Sequence, residues 1–84
     1  MIQQLRRAQG LSQSDLAAIM EVHQKAFISQ IETGRRRVPP SKYAITAHAL
    51  DIDPRTFVQM LMRYYEPEAY DILFSGKIVS ALKA

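Results

Sequence analysis

Cysteine and tryptophan are absent from this 84-residue chain, and glycine occurs only three times. Without cysteine, neither a disulfide framework nor a thiolate zinc site can hold the fold together, so hydrophobic contacts must suffice. No apolar run approaches the roughly 20 residues that span a bilayer, and the N-terminal residues lack the apolar region of a secretory signal. We therefore expect a cytoplasmic protein that does not associate with membranes.

Patterns typical of catalytic and metal sites are also missing. His23 and His48 stand on different segments, and no carboxylate lies at a metal-ligand spacing beside either. The serines have no partnered base in the sequence, and the glycines fall at predicted helix ends instead of in a phosphate-binding loop. We predict a protein without enzymatic activity, cofactor or metal, and at this length we expect no separate sensor or catalytic domain.

Positive charge is concentrated in the first half of the chain. Residues 1–42 carry seven lysines and arginines against three acidic residues, whereas residues 43–84 carry four against five. An excess of positive charge attracts a polyanion such as nucleic acid, although a solvated basic surface is the simpler alternative.

Helix start and stop signals predict an all-α fold in which the first half contains three short helices. A first helix around Leu5 should end at Gly10, because glycine readily takes the left-handed conformation at a helix C-terminus. Ser12, with Asp15 three residues later, forms a variant of the capping box that begins a second helix. A third helix is predicted over residues 24–33.

The second half continues the helical pattern. Ser41 is predicted to cap a fourth helix, and Asp53-Pro54 gives the start of a fifth, with aspartate at the cap and proline in the first helical position. A sixth helix is predicted over about residues 67–75. We therefore predict a compact bundle of five to six helices.

The third helix has two distinct sides when its residues are placed about 100° apart. Phe27, Ile28 and Ile31 fall together on one side and should point into the core. The opposite side carries small and amide-bearing residues, which suit close approach to base edges in the DNA major groove. These outward residues are Lys25, Ala26, Ser29, Gln30 and Thr33. Such a polar face is also ordinary in a helical bundle, so the pattern alone does not decide the function.

A set of residues recurs at a specific spacing along the chain: Leu5-Arg6, Leu11-Ser12-Gln13, Leu16-Ala17, Val22, residues 28–32, Gly34 and residues 37–39. Their combined spacing resembles that of the lambda-repressor-like (Cro/CI-type) helix-turn-helix regulators. The similarity covers about residues 5–62. It implies an all-α DNA-binding domain in which the second helix lies across the groove and the third lies inside it.

The resemblance assigns roles to individual residues. It implies base contacts from Gln24, Lys25, Ala26, Ser29 and Gln30, and contacts to the DNA backbone from Gln13, Arg35, Arg36 and Arg37. It also implies a structural ion pair between Arg6 and Glu32, which would tie the first helix to the end of the third.

One departure from the family lies between the second and third helices. Most members have glycine at the turn, where this chain has Glu21, and the distance from Gln13 to Glu32 is one residue longer than usual. A glutamate forced into the left-handed conformation costs about 1–2 kcal/mol. We expect the extra residue to lie within residues 21–24 and to spare Glu21 that conformation.

The region after residue 62 is unusually rich in aromatic and aliphatic side chains. Tyr64, Tyr65, Tyr70, Leu73 and Phe74 crowd more apolar surface there than a five-helix core should need. Two interpretations stay open: a sixth helix packed on its own domain, or the interface of a homodimer. Residues 1–76 are assigned to the helix-turn-helix domain, and residues 77–84 to a tail that is either disordered or packed at that interface.

The function that fits these features best is a repressor that binds double-stranded DNA as a homodimer. An alternative from another class is an antitoxin or adaptor that binds a partner protein through its C-terminal helices.

Overall fold

The computed structural model of the chain describes residues 1–75. The described backbone is helical and contains no strand, which confirms the all-α prediction. Its elements are α1 (Ile2–Ala8), α2 (Gln13–Met20), α3 (Lys25–Glu32), a 3₁₀ turn (Pro40–Lys42), α4 (Tyr43–Ala49), α5 (Pro54–Tyr65), α6 (Pro67–Tyr70) and a π-helical turn (Asp71–Ser75). The predicted tail at residues 77–84 lies outside the described residues.

The chain divides into two units, of which the first comprises Met1–Pro54. Helix α2 packs against α3 and α4, and α1 packs against α3. The buried apolar side chains come from all four helices and from the segment after α3: Ile2, Leu16, Ala17, Met20, Ile28, Ile31, Val38, Ala47 and Leu50. The core of this unit therefore holds α3 in place.

The second unit begins at Arg55 and contains nearly all of α5. Phe57 and Leu61, one helical turn apart on α5, are both fully buried. Helix α6 packs against the π-helical turn that follows it. The backbone is thus helical over the residues predicted to form a sixth helix, with a change of winding after Tyr70.

The first four helices share one way of ending. Each is followed by a residue in the left-handed conformation, and the next amide donates a hydrogen bond back to a carbonyl five residues earlier, as in a Schellman motif. The left-handed residues are Gly10, Glu21, Gly34 and Asp51, with φ of 68°, 60°, 81° and 57°. The closing amides belong to Leu11, Val22, Arg35 and Ile52. Glycine takes this backbone freely, but glutamate and aspartate do so at a cost.

Helix α1 comprises Ile2–Ala8, so it is centred on Leu5 and ends just before Gly10, and its first residue, Ile2, is buried. The prediction for the start of α4 needs correction. Ser41 does not cap α4, because it lies inside the 3₁₀ turn and the helix begins after Lys42 without a side-chain cap. By contrast, the predicted capping box of α2 is present, with reciprocal hydrogen bonds of 2.9 Å between Ser12 and Asp15.

The linker between α2 and α3 differs from the expectation in one respect. It comprises residues 21–24, and α3 is a regular helix from its first residue. The prediction that the longer linker spares Glu21 is wrong, because Glu21 has φ 60° and ψ 35°. His23 is also left-handed, with φ 60°. The last turn of α2 closes through a left-handed residue directly after Met20, and this residue is left-handed although it is a glutamate.

Candidate nucleic-acid interface

The inner side of α3 anchors the helix in the first unit. Ile28 and Ile31 are buried, with exposed fractions of 0% and 6%. Phe27, which the sequence predicts to point into the core, is only half-buried. Its ring is covered instead by the side chain of Arg36, from the loop after α3. The angular pattern of the sequence therefore placed Phe27 too far inside.

The outer side of α3 is accessible at every residue for which base contact was predicted. Lys25 and Ala26 are exposed, and Ser29 and Gln30 are partly exposed. Gln24 is exposed too, but it lies just before the helix in an extended conformation, with φ −137°. The first unit therefore does not cover these side chains with its own fold.

A polar cluster of Arg6, Gln13 and Glu32 links α3 to α1 and α2. Its two charged side chains are buried, and Gln13 is half-buried. Arg6 Nε donates to Glu32 Oε2 at 2.6 Å, and Arg6 Nη2 donates to Glu32 Oε1 at 3.1 Å. The arginine and glutamate side chains are 8% and 4% exposed. A two-point pair of this kind resists rotation of either group, so it fixes the end of α3 relative to α1.

Two further hydrogen bonds complete the polar cluster. Arg6 Nη1 donates to the carbonyl of Leu11 at 2.8 Å, which also ties the start of the next segment to α1. The Gln13 amide donates to Glu32 Oε1 at 2.9 Å. Among the described residues, no buried side-chain nitrogen or oxygen lacks a partner. The sequence predicted the ion pair but not the hydrogen bond from Gln13 to Glu32, because it assigned Gln13 to the DNA backbone alone.

The cluster shifts the pKa of both of its charged groups. Burial alone would raise the pKa of Glu32, but hydrogen bonds from Arg6 and Gln13, together with the charges of Arg6 and Arg7, outweigh it and lower the pKa. The hydrogen bond to Glu32 raises the pKa of Arg6 above its ordinary value. Both shifts favour the charged pair in the folded protein.

The arginine loop, residues 35–37, follows α3 directly, and all three of its side chains are exposed. The amides of Arg35 and Arg36 both donate to the carbonyl of Gln30, at 2.9 and 3.2 Å. The loop therefore begins as a continuation of the helix end and is held close to the outer side of α3.

Arg36 makes two side-chain contacts that the sequence did not predict. Its Nε donates to Gln30 Oε1 at 2.8 Å, and its guanidinium lies 4.5 Å from the centre of the Phe27 ring. The sequence signal for these contacts was Gly34, because a glycine that closes a helix turns the following loop back toward the last turn. Arg36, which was predicted to contact the DNA backbone, is thus hydrogen-bonded to Gln30, which was predicted to contact a base.

A comparison with known families decides what this arrangement belongs to. A family described as "Helix-turn-helix domain" matches residues 2–65. This chain belongs to the helix-turn-helix domain family. The match covers α1 through α5 and supports DNA binding by this domain. Neither the curated proteins nor the solved structures compared with the chain gave a match.

The residues predicted for a dimer interface lie at the end of the matched region of this helix-turn-helix domain and after it. Tyr64, Leu73 and Phe74 are exposed, at 60%, 63% and 49%, whereas Tyr65 and Tyr70 are partly buried. The Tyr64 and Tyr65 rings meet edge to face with centres 5.4 Å apart, and the Tyr70 and Phe74 rings lie 4.9 Å apart. The second unit thus has apolar side chains both in contact with each other and facing solvent.

The described part of this helix-turn-helix domain offers neither a metal-binding cluster nor a membrane-spanning helix. Residues 1–75 bring together no group of three histidine, cysteine, aspartate or glutamate side chains suited to a metal ion. In the same range, no helix has the length and apolar character needed to cross a membrane.

Proposed function

We propose that this protein is a transcriptional regulator of Cro/CI type, a repressor, which reads a DNA sequence by placing α3 in the major groove. The family match supports DNA binding. The observation that carries the finer proposal is the pairing of an accessible polar side of α3 with an exposed arginine loop at its C-terminal end. Side chains of α3 would contact base edges, and the arginines would bind phosphates.

The chemistry of the side chains separates those suited to base contacts from those suited to phosphate contacts. Ser29 and Gln30 can donate to or accept from base edges, Lys25 can donate to them, and Ala26 fits against a thymine methyl group. Arg35, Arg36 and Arg37 are permanently charged at neutral pH, so they bind phosphates whatever the sequence. The second amide hydrogen of Gln13 remains available for a phosphate, while the first is used by Glu32.

The polar cluster gives α3 the rigidity that base recognition requires. A base contact is lost when a side chain moves by about 1 Å, so the reading helix must be held firmly by its own domain. Arg6 and Glu32 hold the C-terminal end of α3, and Ile28 and Ile31 hold its inner side. None of these residues needs to touch DNA.

We propose further that the protein binds DNA as a homodimer through its second unit. The exposed apolar side chains of Tyr64, Ile72, Leu73 and Phe74 support this, because such groups are normally covered when they cluster. A symmetric dimer would bind two half-sites about 34 Å apart. Sedimentation at micromolar concentration tests it: a species that stays monomeric with and without DNA would contradict the dimer.

The family match favours this function over an antitoxin or adaptor that acts only through a partner protein. A regulator that also binds a partner protein would satisfy both descriptions. Purification with and without DNA distinguishes them, since a pure adaptor would retain a protein partner and show no preference among duplexes.

The decisive experiment is selection of bound duplexes from a random pool. We expect a preferred site with two related half-sites, and Gln30→Ala should change the preference at one base pair by about 1–3 kcal/mol. Arg35→Ala is the matched control and should weaken binding to every duplex alike. If about eight phosphates are bound, log affinity should fall with log salt at a slope near −7. A pool recovered without any base preference would refute the proposal.

A further inference from the structure

Arg36 is attached to the outer side of α3 at three points. Its backbone amide donates to the Gln30 carbonyl, its Nε donates to Gln30 Oε1, and its guanidinium lies over the Phe27 ring. Arg35, its neighbour, shares the backbone contact to Gln30, but no side-chain contact of Arg35 is seen within residues 1–75. The structure therefore distinguishes two arginines that the sequence treats alike.

The contact determines which way the Gln30 amide points. Arginine Nε can only donate a hydrogen bond, so the atom of Gln30 that faces it must be the oxygen. The Gln30 nitrogen then lies on the other side of the amide, and among the described residues none accepts a hydrogen bond from it. In the free protein Gln30 thus presents two hydrogens, while its oxygen is engaged.

This orientation has a consequence for base recognition. Glutamine recognises adenine with both amide atoms, since the oxygen accepts from N6 and the nitrogen donates to N7. Next to the Gln30 oxygen the guanidinium of Arg36 presents positive charge and donor hydrogens, which oppose the amino group of adenine. Guanine presents two acceptors, N7 and O6, and suits a group that offers hydrogens.

We propose that Arg36 is a specificity-determining residue, which holds the oxygen of Gln30 and thereby directs its amide hydrogens to the acceptor edge of guanine. The inference rests on the proposed function and deepens it, because it assigns base selection to a residue of the loop as well as to α3. Arg36 acts as a positioning residue for Gln30, in addition to any phosphate it binds.

Three variants separate positioning from charge. Arg36→Ala removes the hydrogen bond, the contact with the Phe27 ring and the charge. Arg36→Lys keeps the charge but lacks the Nε donor and the planar group that lies over Phe27. Arg35→Ala removes a neighbouring charge that has no link to the Gln30 side chain. Because both arginines are exposed, all three variants should fold, which thermal unfolding checks.

The test is selection from a random duplex pool, followed by affinity measurements on duplexes that differ only at the base pair read by Gln30. We expect the wild-type protein to prefer guanine to adenine there by about tenfold. In Arg36→Ala and Arg36→Lys this preference should fall to less than about threefold or reverse, while Arg35→Ala should keep it and lose affinity uniformly.

A second readout needs no DNA. In the free protein, the side-chain amide NMR signals of Gln30 should shift in Arg36→Ala and Arg36→Lys, and should stay in place in Arg35→Ala. Unchanged signals in both Arg36 variants would overturn the inference, because the contact on which it depends would be absent in solution.

The possible results separate failure of this inference from failure of the proposed function on which it rests. If the wild-type protein selects a site but Arg36→Ala retains the same base preference, the inference fails and the proposed function stands. Recovery of the wild-type preference by Arg36→Lys also overturns it, because charge alone would then suffice. If the wild-type protein selects no sequence, the proposed function fails and the inference fails with it.

Discussion

Two arginines contact the last turns of α3, and they differ chiefly in burial. Arg6 reaches Glu32 from inside the first unit, where both side chains are less than a tenth exposed. Arg36 reaches Gln30 from the solvent side at a similar distance, 2.8 Å against 2.6 Å. The buried contact holds the helix, whereas the exposed contact orients one of its side chains. Bond length does not distinguish these roles, but the surroundings do.

The difference follows from the cost of leaving each contact unmade. A buried charge that loses its partner cannot recover its hydration, so removal of one partner is expensive. An exposed guanidinium that loses the amide oxygen forms hydrogen bonds with water instead, at little cost. We therefore expect the first contact to control stability and the second to control base preference.

The largest expected effect comes from breaking the buried contact. Glu32→Ala should lower the free energy of unfolding by about 3–5 kcal/mol, because it leaves Arg6 buried with only the Leu11 carbonyl. Urea denaturation followed by circular dichroism measures the loss. Glu68→Ala, which removes an exposed glutamate, is the control and should change the stability by no more than about 0.5 kcal/mol. Equal losses in the two variants would show that the buried contact is not special.

A lower pH should affect the two contacts differently, because only the buried one contains a carboxylate. The folded protein lowers the pKa of Glu32, so the stabilisation is complete above the unfolded value of about 4.3 and is lost as pH falls through the lower, folded value. The free energy of unfolding, measured from pH 7 to 3, should therefore decline below about pH 4.3.

Glu32→Gln should flatten this decline without abolishing it, since the hydrogen bonds of Ser12 also lower the pKa of Asp15. Arg36→Ala should leave the acid dependence unchanged. A steep wild-type decline that survives intact in Glu32→Gln would assign the acid sensitivity to other carboxylates.

The linker before α3 allows stability to be changed without touching either arginine. Glu21→Gly should raise the free energy of unfolding by about 1–2 kcal/mol, because glycine takes the left-handed conformation freely. Asp51→Gly is the matched variant at the end of α4, and its gain should be smaller because aspartate tolerates this conformation better. Both are measured by urea denaturation. A loss of stability in Glu21→Gly would mean that its side chain makes a contribution larger than the backbone cost.

The smallest effect on folding is expected at the exposed contact. Arg36→Ala should change the free energy of unfolding by less than about 1 kcal/mol, since a solvent-exposed hydrogen bond and cation–π contact contribute little. Thermal and urea unfolding measure it alongside Glu32→Ala. A loss as large as that of Glu32→Ala would remove the distinction between the two contacts.

Local signals in the sequence predicted much of the helix pattern. Ser12 with Asp15, Gly34, and Asp53-Pro54 mark boundaries through short-range chemistry, and the structure has helix ends at or beside these positions. The prediction for Ser41 was wrong because a serine caps a helix only if the helix begins just after it. Here Ser41 lies inside a 3₁₀ turn that begins at Pro40, directly after Pro39.

The contacts of the site residues likewise fall into those that the sequence suggested and those that it did not. Spacing and family resemblance suggested the Arg6 and Glu32 pair and the outward side of α3. They did not suggest that Gln13 joins that pair or that Arg36 binds Gln30, because both contacts depend on where a loop or helix lies in space. Phe27 shows the limit of the angular pattern, since its half-buried ring receives Arg36 from a loop that helical periodicity does not describe.

The sequence by itself determined the helical class, the basic character of the first half and, apart from Phe27, which residues lie on each side of α3, because propensity, charge and helical periodicity act over a few residues. Only the tertiary structure decided which arginine is buried and which is exposed, and which atom of Gln30 faces outward. Those properties depend on desolvation and on contacts between residues distant in sequence or beyond the end of a helix, and no local pattern encodes them.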